Sequence, residues 1–134
     1  YATLHEINPL LIYGSGNGYG PRGPDSHLPS FDGCGQARSG LMMSASDPDA
    51  DYPNRVSQGV SDQIGGIMLC QGILAALVAR NIRGVGQHVH TSHLSANMWL
   101  QGMGLGMSLY GIPNGAPEAS EDTNWASEDT KPQN

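Results

Sequence analysis

Apolar positions in this chain fall into short segments separated by glycine, proline and polar residues, and the longest lies between Ile64 and Val78. Ile64, Ile67, Met68, Gln71, Leu74, Ala75 and Val78 recur there at helical spacing, and Ile73 and Leu77 widen the stripe. The pattern predicts a helix from Asp62 to about Asn81 that is covered on more than one side, a buried central helix. Arg80 and Arg83 suit the negative end of its dipole, and Gly84 supplies the stop. Upstream, Leu10-Leu11-Ile12-Tyr13-Gly14-Ser15 follows Asn8-Pro9 and predicts a short, buried parallel strand. It empties into the stretch 16–24, whose glycines and prolines force a loop. Ser30 is expected to cap a helix from Phe31 to Ser44, with Phe31, Cys34, Leu41 and Met42 turned inward. Ser46 to Asn54 is a polar loop. Gly86 to Thr91 predicts a second short strand, and Ser92 caps a last helix through about Tyr110. In that helix Leu94, Met98, Trp99, Met103 and Met107 lie at helical spacing, but Gly102, Gly104 and Gly106 weaken it, so close packing against another helix or chain must hold it. From Pro113 onward the chain is polar and acidic, with Trp125 its one candidate anchor. The expected division is a partial domain over 1–112 and a linker or tail over 113–134. Helices alternating with short parallel strands make this an α/β chain.

Composition narrows the class. A length of 134 residues fits one domain or part of one, and Gly 19 with Pro 9 suits a loop-rich α/β chain better than a helical bundle. The opening tyrosine and the polar ending lead us to expect an internal segment of a longer polypeptide. A net charge of −6, with six Lys and Arg spread along the chain, excludes a nucleic-acid footprint. Cys34 and Cys70 are far apart in apolar contexts and are expected to be reduced, core-packed thiols of a cytoplasmic protein. No signal-peptide pattern is present. Gln71 and two glycines interrupt the long apolar run, which is expected to be too short and too polar to span a membrane.

The chemistry-bearing stretch is Gly59-Val60-Ser61-Asp62-Gln63-Ile64-Gly65-Gly66. Ser61 or Asp62 is the expected N-cap of the long helix, and the dipole favours an ionised carboxylate there. Gly65 and Gly66 each cost the helix about 1 kcal/mol relative to alanine, which a ligand or backbone approaching closely would offset. Two readings of Asp62 stay open on pattern alone: a plain capping residue, or a nucleophile or base beside bare backbone. Other motifs carry less. Gly14, Gly16 and Gly18 invite a dinucleotide fingerprint, but prolines follow where a helix must start. Asp47, Asp49 and Asp51 alternate in a loop lacking the glycine and distal glutamate of a calcium site. His88 and His90 share a strand face with His93 just beyond, yet no Cys, Glu or Asp lies nearby in sequence to complete a zinc set, so no metal is expected.

The ordered set Asn8-Pro9-x-Leu11-Ile12-Tyr13, Gly18-Tyr19-Gly20, Gly23-Pro24, Phe31-Asp32, Gln36-Ala37, Ser39-Gly40-Leu41, Asp62 before its glycines, Gly72 to Leu77 and Gly84-x-Gly86-Gln87-His88-Val89 resembles the class III CoA-transferases, the family of formyl-CoA and carnitine-CoA transferases. The likeness runs from about Asn8 to about Leu109. It implies part of a Rossmann-like large domain, acyl-CoA and a carboxylic acid as substrates, no metal, and an interlocked homodimer. It also implies that first strands and a smaller domain lie outside this chain. Asp62 falls at the family's nucleophile, which forms a mixed anhydride and then an aspartyl-CoA thioester that the acceptor acid resolves. The resemblance lays Asn17, Gly18 and Tyr19 along CoA, although many members carry Lys or Ser at the place of Asn17. Gly65 and Gly66 would border the same ligand, and His93 falls near the thioester end of the pantetheine arm. Related α-methylacyl-CoA racemases carry a histidine where Phe31 stands, so transfer is preferred to racemisation. A non-catalytic relative that dimerises or binds through the glycine-rich helix is the remaining alternative.

Overall fold

Two short strands and one long helix set the frame of the computed structural model, which describes residues 1–47 and 49–112; the predicted tail at 113–134 lies outside the described residues. In chain order the elements are α1 (Ala2–Ile7), β1 (Tyr13–Asn17), α2 (Asp32–Arg38), α3 (Leu41–Ser44), α4 (Val60–Arg83), β2 (His88–Ser92), α5 (His93–Leu100) and α6 (Gly102–Leu109). The chain divides into a compact unit Tyr1–Gly102 and a second that begins at Met103. Through Ile112 the second consists of the remainder of α6 and its closing turn, where the Tyr110 N–H meets the Gly106 carbonyl at 3.2 Å.

Within the first unit β1 and β2 pair in parallel, Tyr13 opposite His88 through Asn17 opposite Ser92. A parallel pair needs a long crossover, and α2, α3 and α4 supply it. α4 packs on one face of the pair, where two glycines allow the approach. A Cβ added at Gly14 would lie 2.9 Å from Ile73 Cδ1, and one at Gly72 would lie 2.6 Å from Val89 Cγ1. The opposite face carries Ser15, whose Oγ is 2.7 Å from His88 Nε2 and 2.9 Å from His90 Nδ1. Tyr1 stacks on His88 there, ring centres 5.4 Å apart. The strands are parallel as predicted, but β1 is largely exposed rather than buried, while β2 is half-buried and ends on the buried Ser92.

α4 starts at Val60, with Gly59 as its N-cap in the left-handed region at φ 76, so Ser61 and Asp62 lie inside the first turn instead of capping it. It ends at Gly84, φ 69, whose N–H bonds the Arg80 carbonyl at 2.8 Å, as the predicted stop requires. Its buried residues are Ser61, Gly65 and Ala76, on the side facing the strands, α2 and α5. The expectation of a helix covered on more than one side is corrected: Ile67, Leu74, Val78 and Ile82 are exposed. At 24 residues α4 is also long and apolar enough to cross a membrane by length and composition alone, contrary to the expectation from its glycines. Its packing on the strands is that of a layer in an α/β fold.

The predicted single helix from Phe31 to Ser44 is two, broken where Gly40 takes φ 78. Leu41 is buried as expected, but Phe31 is 81% exposed at the N-cap of α2, and Ser30 makes no cap bond. Cys34 and Cys70 are free and exposed, which corrects their assignment to the core. In the loop after α3, Ser46 Oγ accepts the Asn54 N–H at 2.8 Å and closes the polar excursion. Ser92 caps α5 as predicted, in a reciprocal capping box with Ser95. The predicted helix through Tyr110 is interrupted at Gln101, whose Nε2 donates to the carbonyls of Ser39 and Asn97 at 3.2 and 3.1 Å.

Candidate functional site

A cleft of about 290 Å³ opens at the carboxyl ends of the two strands, between the end of β1, the start of α5 and the first two turns of α4. Crevices at the carboxyl ends of parallel strands are where α/β sheets bind ligands, because loops diverge there and helix N-termini point inward. Asp62, Gly65 and Gly66 line the cleft from α4, Asn17 and Gly18 from the end of β1, and His93 from α5. Six of the seven sequence-derived site residues therefore meet at one place. The seventh, Tyr19, does not line this cleft; it borders a second hollow of about 440 Å³ with Arg22, His90 and Met98.

Asp62 stands in the first turn of α4 with its side chain 60% exposed, and its Oδ1 lies 3.0 Å from His93 Nε2. The His93 side chain is 19% exposed and belongs to the wall. Gly65 runs beside that ring, where a Cβ would lie 3.8 Å from His93 Cδ2, an ordinary contact, while nothing lies within 4 Å of a Cβ at Gly66. Bare helix backbone therefore faces the cleft beside an accessible carboxylate. Asn17 does structural work within its loop, its Oδ1 accepting the Gly20 N–H at 2.7 Å. Gly18 is buried against Ser30, and its carbonyl accepts the Leu94 N–H at 3.0 Å, tying the loop to α5.

Beneath Asp62 lies a polar layer that sequence reasoning did not identify. Asp32 Oδ1 accepts the Ser61 N–H at 2.7 Å, and Ser61 Oγ donates to the Asp32 carbonyl at 3.0 Å. Asn97 Nδ2 donates to Ser61 Oγ at 2.8 Å. Gln36 Nε2 donates to Asp32 Oδ2 at 2.8 Å and to the Ser57 carbonyl at 2.7 Å, while its Oε1 accepts the Val56 N–H at 3.0 Å. Gln36, Ser61 and Asn97 are 0% exposed. A carboxylate from α2 thus satisfies a first-turn N–H of α4 that no side chain of α4 itself caps. Burial pushes the Asp32 carboxyl up, but hydrogen bonds from the Ser61 and Gly59 backbone, Gln36 and the Ser61 hydroxyl outweigh it and hold the group below its ordinary value. Asp32 and Gln36 stood in the sequence only as members of the family-like pairs Phe31-Asp32 and Gln36-Ala37, and Asn97 lies between Ala96 and Met98 with no pattern to mark it.

The three histidines do not converge. His88 and His90 share Ser15 on the far face of the strands, whereas His93 pairs with Asp62. Burial, and then the neighbouring His88, pull the His90 imidazole below its ordinary range. Among the described residues no three His, Cys, Asp or Glu side chains group as metal ligands.

The sequence profile of CoA-transferase family III matches residues 1–130. The chain is 44% identical over 93 residues to an acetyl-CoA:oxalate CoA-transferase of Acetobacter aceti, covering 69% of this chain and 24% of that protein. It is 42% identical over 96 residues to a succinyl-CoA:mesaconate CoA-transferase of Haloarcula hispanica, again covering 69% of this chain and 24% of the other. Among solved structures, a CAIB/BAIF family protein from Brucella suis superposes with a TM-score of 0.75 at 28% identity, covering 84% of this chain and 30% of that one. The chain therefore spans about a quarter of the length of these curated relatives.

Proposed function

The chain belongs to CoA-transferase family III, and from that premise we propose that it carries the nucleophile of a CoA transfer between carboxylic acids, with Asp62 in that role. The observation that carries this reading is the placement of Asp62: an accessible carboxylate in the first turn of a long helix, in a cleft at the ends of parallel strands, next to a backbone without side chains at Gly65 and Gly66.

In the proposed reaction Asp62 attacks the donor acyl-CoA, the C–S bond breaks, and a mixed anhydride and the CoA thiolate result. The thiolate attacks the aspartyl carbon and expels the donor acid, leaving an aspartyl-CoA thioester. The acceptor carboxylate attacks that thioester and releases the thiolate, which takes the acyl group from the second anhydride and restores Asp62. Covalent catalysis of this kind replaces one difficult exchange with several easier ones. The residues of the cleft supply its protein side: the dipole of α4 favours the ionised nucleophile, and Asn17 and Gly18 shape the loop along which the pantetheine arm of CoA lies. Tyr19 borders the second hollow and is not assigned to that arm. Phe31 stands exposed where the related racemases carry a histidine and has no proton to move, which favours transfer over racemisation. The acids named for the relatives, oxalate and mesaconate, make short dicarboxylates the first acceptors to test. A cytoplasmic homodimer completes the proposal, and sedimentation of the complete protein checks the assembly.

The experiment is trapping. The complete protein is incubated with acetyl-CoA or succinyl-CoA, treated with hydroxylamine, digested and analysed by mass spectrometry. The expected result is a hydroxamate on Asp62 that is absent from Asp62→Asn, together with loss of transfer in that variant. Full transfer activity in Asp62→Asn refutes the assignment.

A further inference from the structure

We propose that His93 donates its Nε2–H to Asp62 Oδ1 throughout the reaction, first aiming the free carboxylate and then holding the negative charge that collects on Oδ1 whenever the aspartyl carbon is attacked. The inference rests on the transfer reading above and assigns His93 a role distinct from contact with the pantetheine arm.

The geometry is specific. Nε2 lies 3.0 Å from Oδ1. An ionised carboxylate only accepts hydrogen bonds, so the proton of that contact sits on Nε2. The other ring nitrogen, Nδ1, is buried with no partner among the described residues, which leaves Nε2 as the nitrogen engaged by the protein. Two helices each present a glycine to this side chain. A Cβ at Gly35 of α2 would lie 2.6 Å from His93 Cβ, and a Cβ at Gly65 of α4 would lie 3.8 Å from Cδ2. At Gly35 a side chain would collide with His93, so that position must stay bare, while at Gly65 the helix backbone packs alongside the ring with ordinary van der Waals room. The donor is thus built into the wall, while the acceptor, 60% exposed, stands in the cleft.

Following the oxygens gives the donor its second task. With Oδ1 engaged, Oδ2 is the oxygen that attacks the acyl carbon and becomes the bridge of the anhydride. When the CoA thiolate adds to the aspartyl carbon, the electron pair of the carbonyl moves onto Oδ1. Collapse breaks the bond to Oδ2, which departs with the donor acid. When the acceptor carboxylate adds to the thioester, the pair moves onto Oδ1 again and the C–S bond breaks. Oδ1 alone stays bonded to Asp62 from start to finish, and twice it is an oxyanion. A fixed N–H on that atom stabilises each tetrahedral state more than the ground state, as an oxyanion-hole donor does.

Two substitutions and one spectrum test this in the complete protein. His93→Leu removes the donor, and His93→Gln keeps an N–H at about the reach of Nε2. Removing one oxyanion donor is expected to lower kcat by roughly a hundredfold to a thousandfold with KM for acyl-CoA within about threefold, and Gln is expected to regain at least about tenfold of that loss. A purely structural role would not return activity with the isolated amide N–H. Normal kcat in His93→Leu, a change in KM alone, or folded Gln and Leu variants of equal activity overturns the proposal. Nitrogen NMR of the histidine-labelled protein reads the same contact without turnover and decides the matter if the Leu variant fails to fold: His93 is expected as the Nε2–H tautomer, and an Nδ1–H tautomer overturns the assignment. Absence of the Asp62 hydroxamate in the wild type would instead sink the transfer reading, leaving the tautomer result to stand on its own.

Discussion

Replacing Asp32, not Asp62, is the perturbation most informative about how this site is built. Asp32 Oδ1 accepts the Ser61 N–H at 2.7 Å and Oδ2 accepts from Gln36 at 2.8 Å. In Asp32→Ala the Ser61 N–H, on a residue that is fully buried, loses its acceptor. Gln36 keeps the Ser57 carbonyl and the Val56 N–H, so its loss is partial. An unpaired buried donor costs about 1–3 kcal/mol, and losing a helix cap costs about 0.5–2 kcal/mol; since these describe the same N–H in part, the expected destabilisation is about 2–3 kcal/mol. The sign of its pH dependence follows from the depressed carboxyl. A group whose folded value lies below its unfolded one stabilises the fold above the unfolded value, about 3.9 for Asp, and that contribution is lost as pH falls through the folded value. Urea unfolding of wild type and Asp32→Ala, followed by far-UV circular dichroism between pH 7 and 3, should show a gap that is constant at neutral pH and narrows below about pH 4. A gap under about 0.5 kcal/mol at pH 7, or one that widens on acidification, refutes the reasoning.

The remaining expectations concern the same framework. Gly35→Ala places a methyl 2.6 Å from His93 Cβ and 3.0 Å from Ser61 Oγ; overpacking there is expected to cost about 1–3 kcal/mol in urea unfolding and to lower kcat by moving His93. Asn97→Ala removes the 2.8 Å bond to Ser61 Oγ from a fully buried position, with an expected loss of about 1–3 kcal/mol by the same assay. Gly84→Ala strains a left-handed C-cap at φ 69 and is expected to cost about 1 kcal/mol with transfer activity unchanged.

How much of this was written in the sequence differs from residue to residue. The period of the apolar positions located α4 and its stop at Gly84, because a helix surface of that length leaves an unambiguous signature. The apolar run before Ser15 pointed to a parallel strand, but the convergence of Asp62 and His93 was legible only through family likeness, since contacts between residues 62 and 93 leave no local pattern. The N-cap was misplaced because Gly59, in the left-handed region, starts the helix and Asp32 caps it from 29 residues upstream, its Oδ1 accepting the Ser61 N–H. The split at Gly40 was missed because a glycine inside a periodic segment is tolerated as often as it breaks one. Burial was overread at Phe31, Cys34, Cys70 and the outer side of α4 for a common reason: hydrophobicity reports a preference for cover, and the residues that would provide it are not local.

Gln36 holds both sides of the chain where it returns to α4, at Val56 and Ser57, and Ser46 clasps Asn54 just before. The acidic excursion between these clasps is therefore insulated mechanically from the nucleophile that follows it. Loop-closure entropy rises only slowly with length, so a peptide tag, a fluorophore site or a small inserted domain grafted at Asp49 to Asp51 should leave the carboxylate of Asp62 where it stands, giving a handle on the protein that reports from beside the chemistry without entering it.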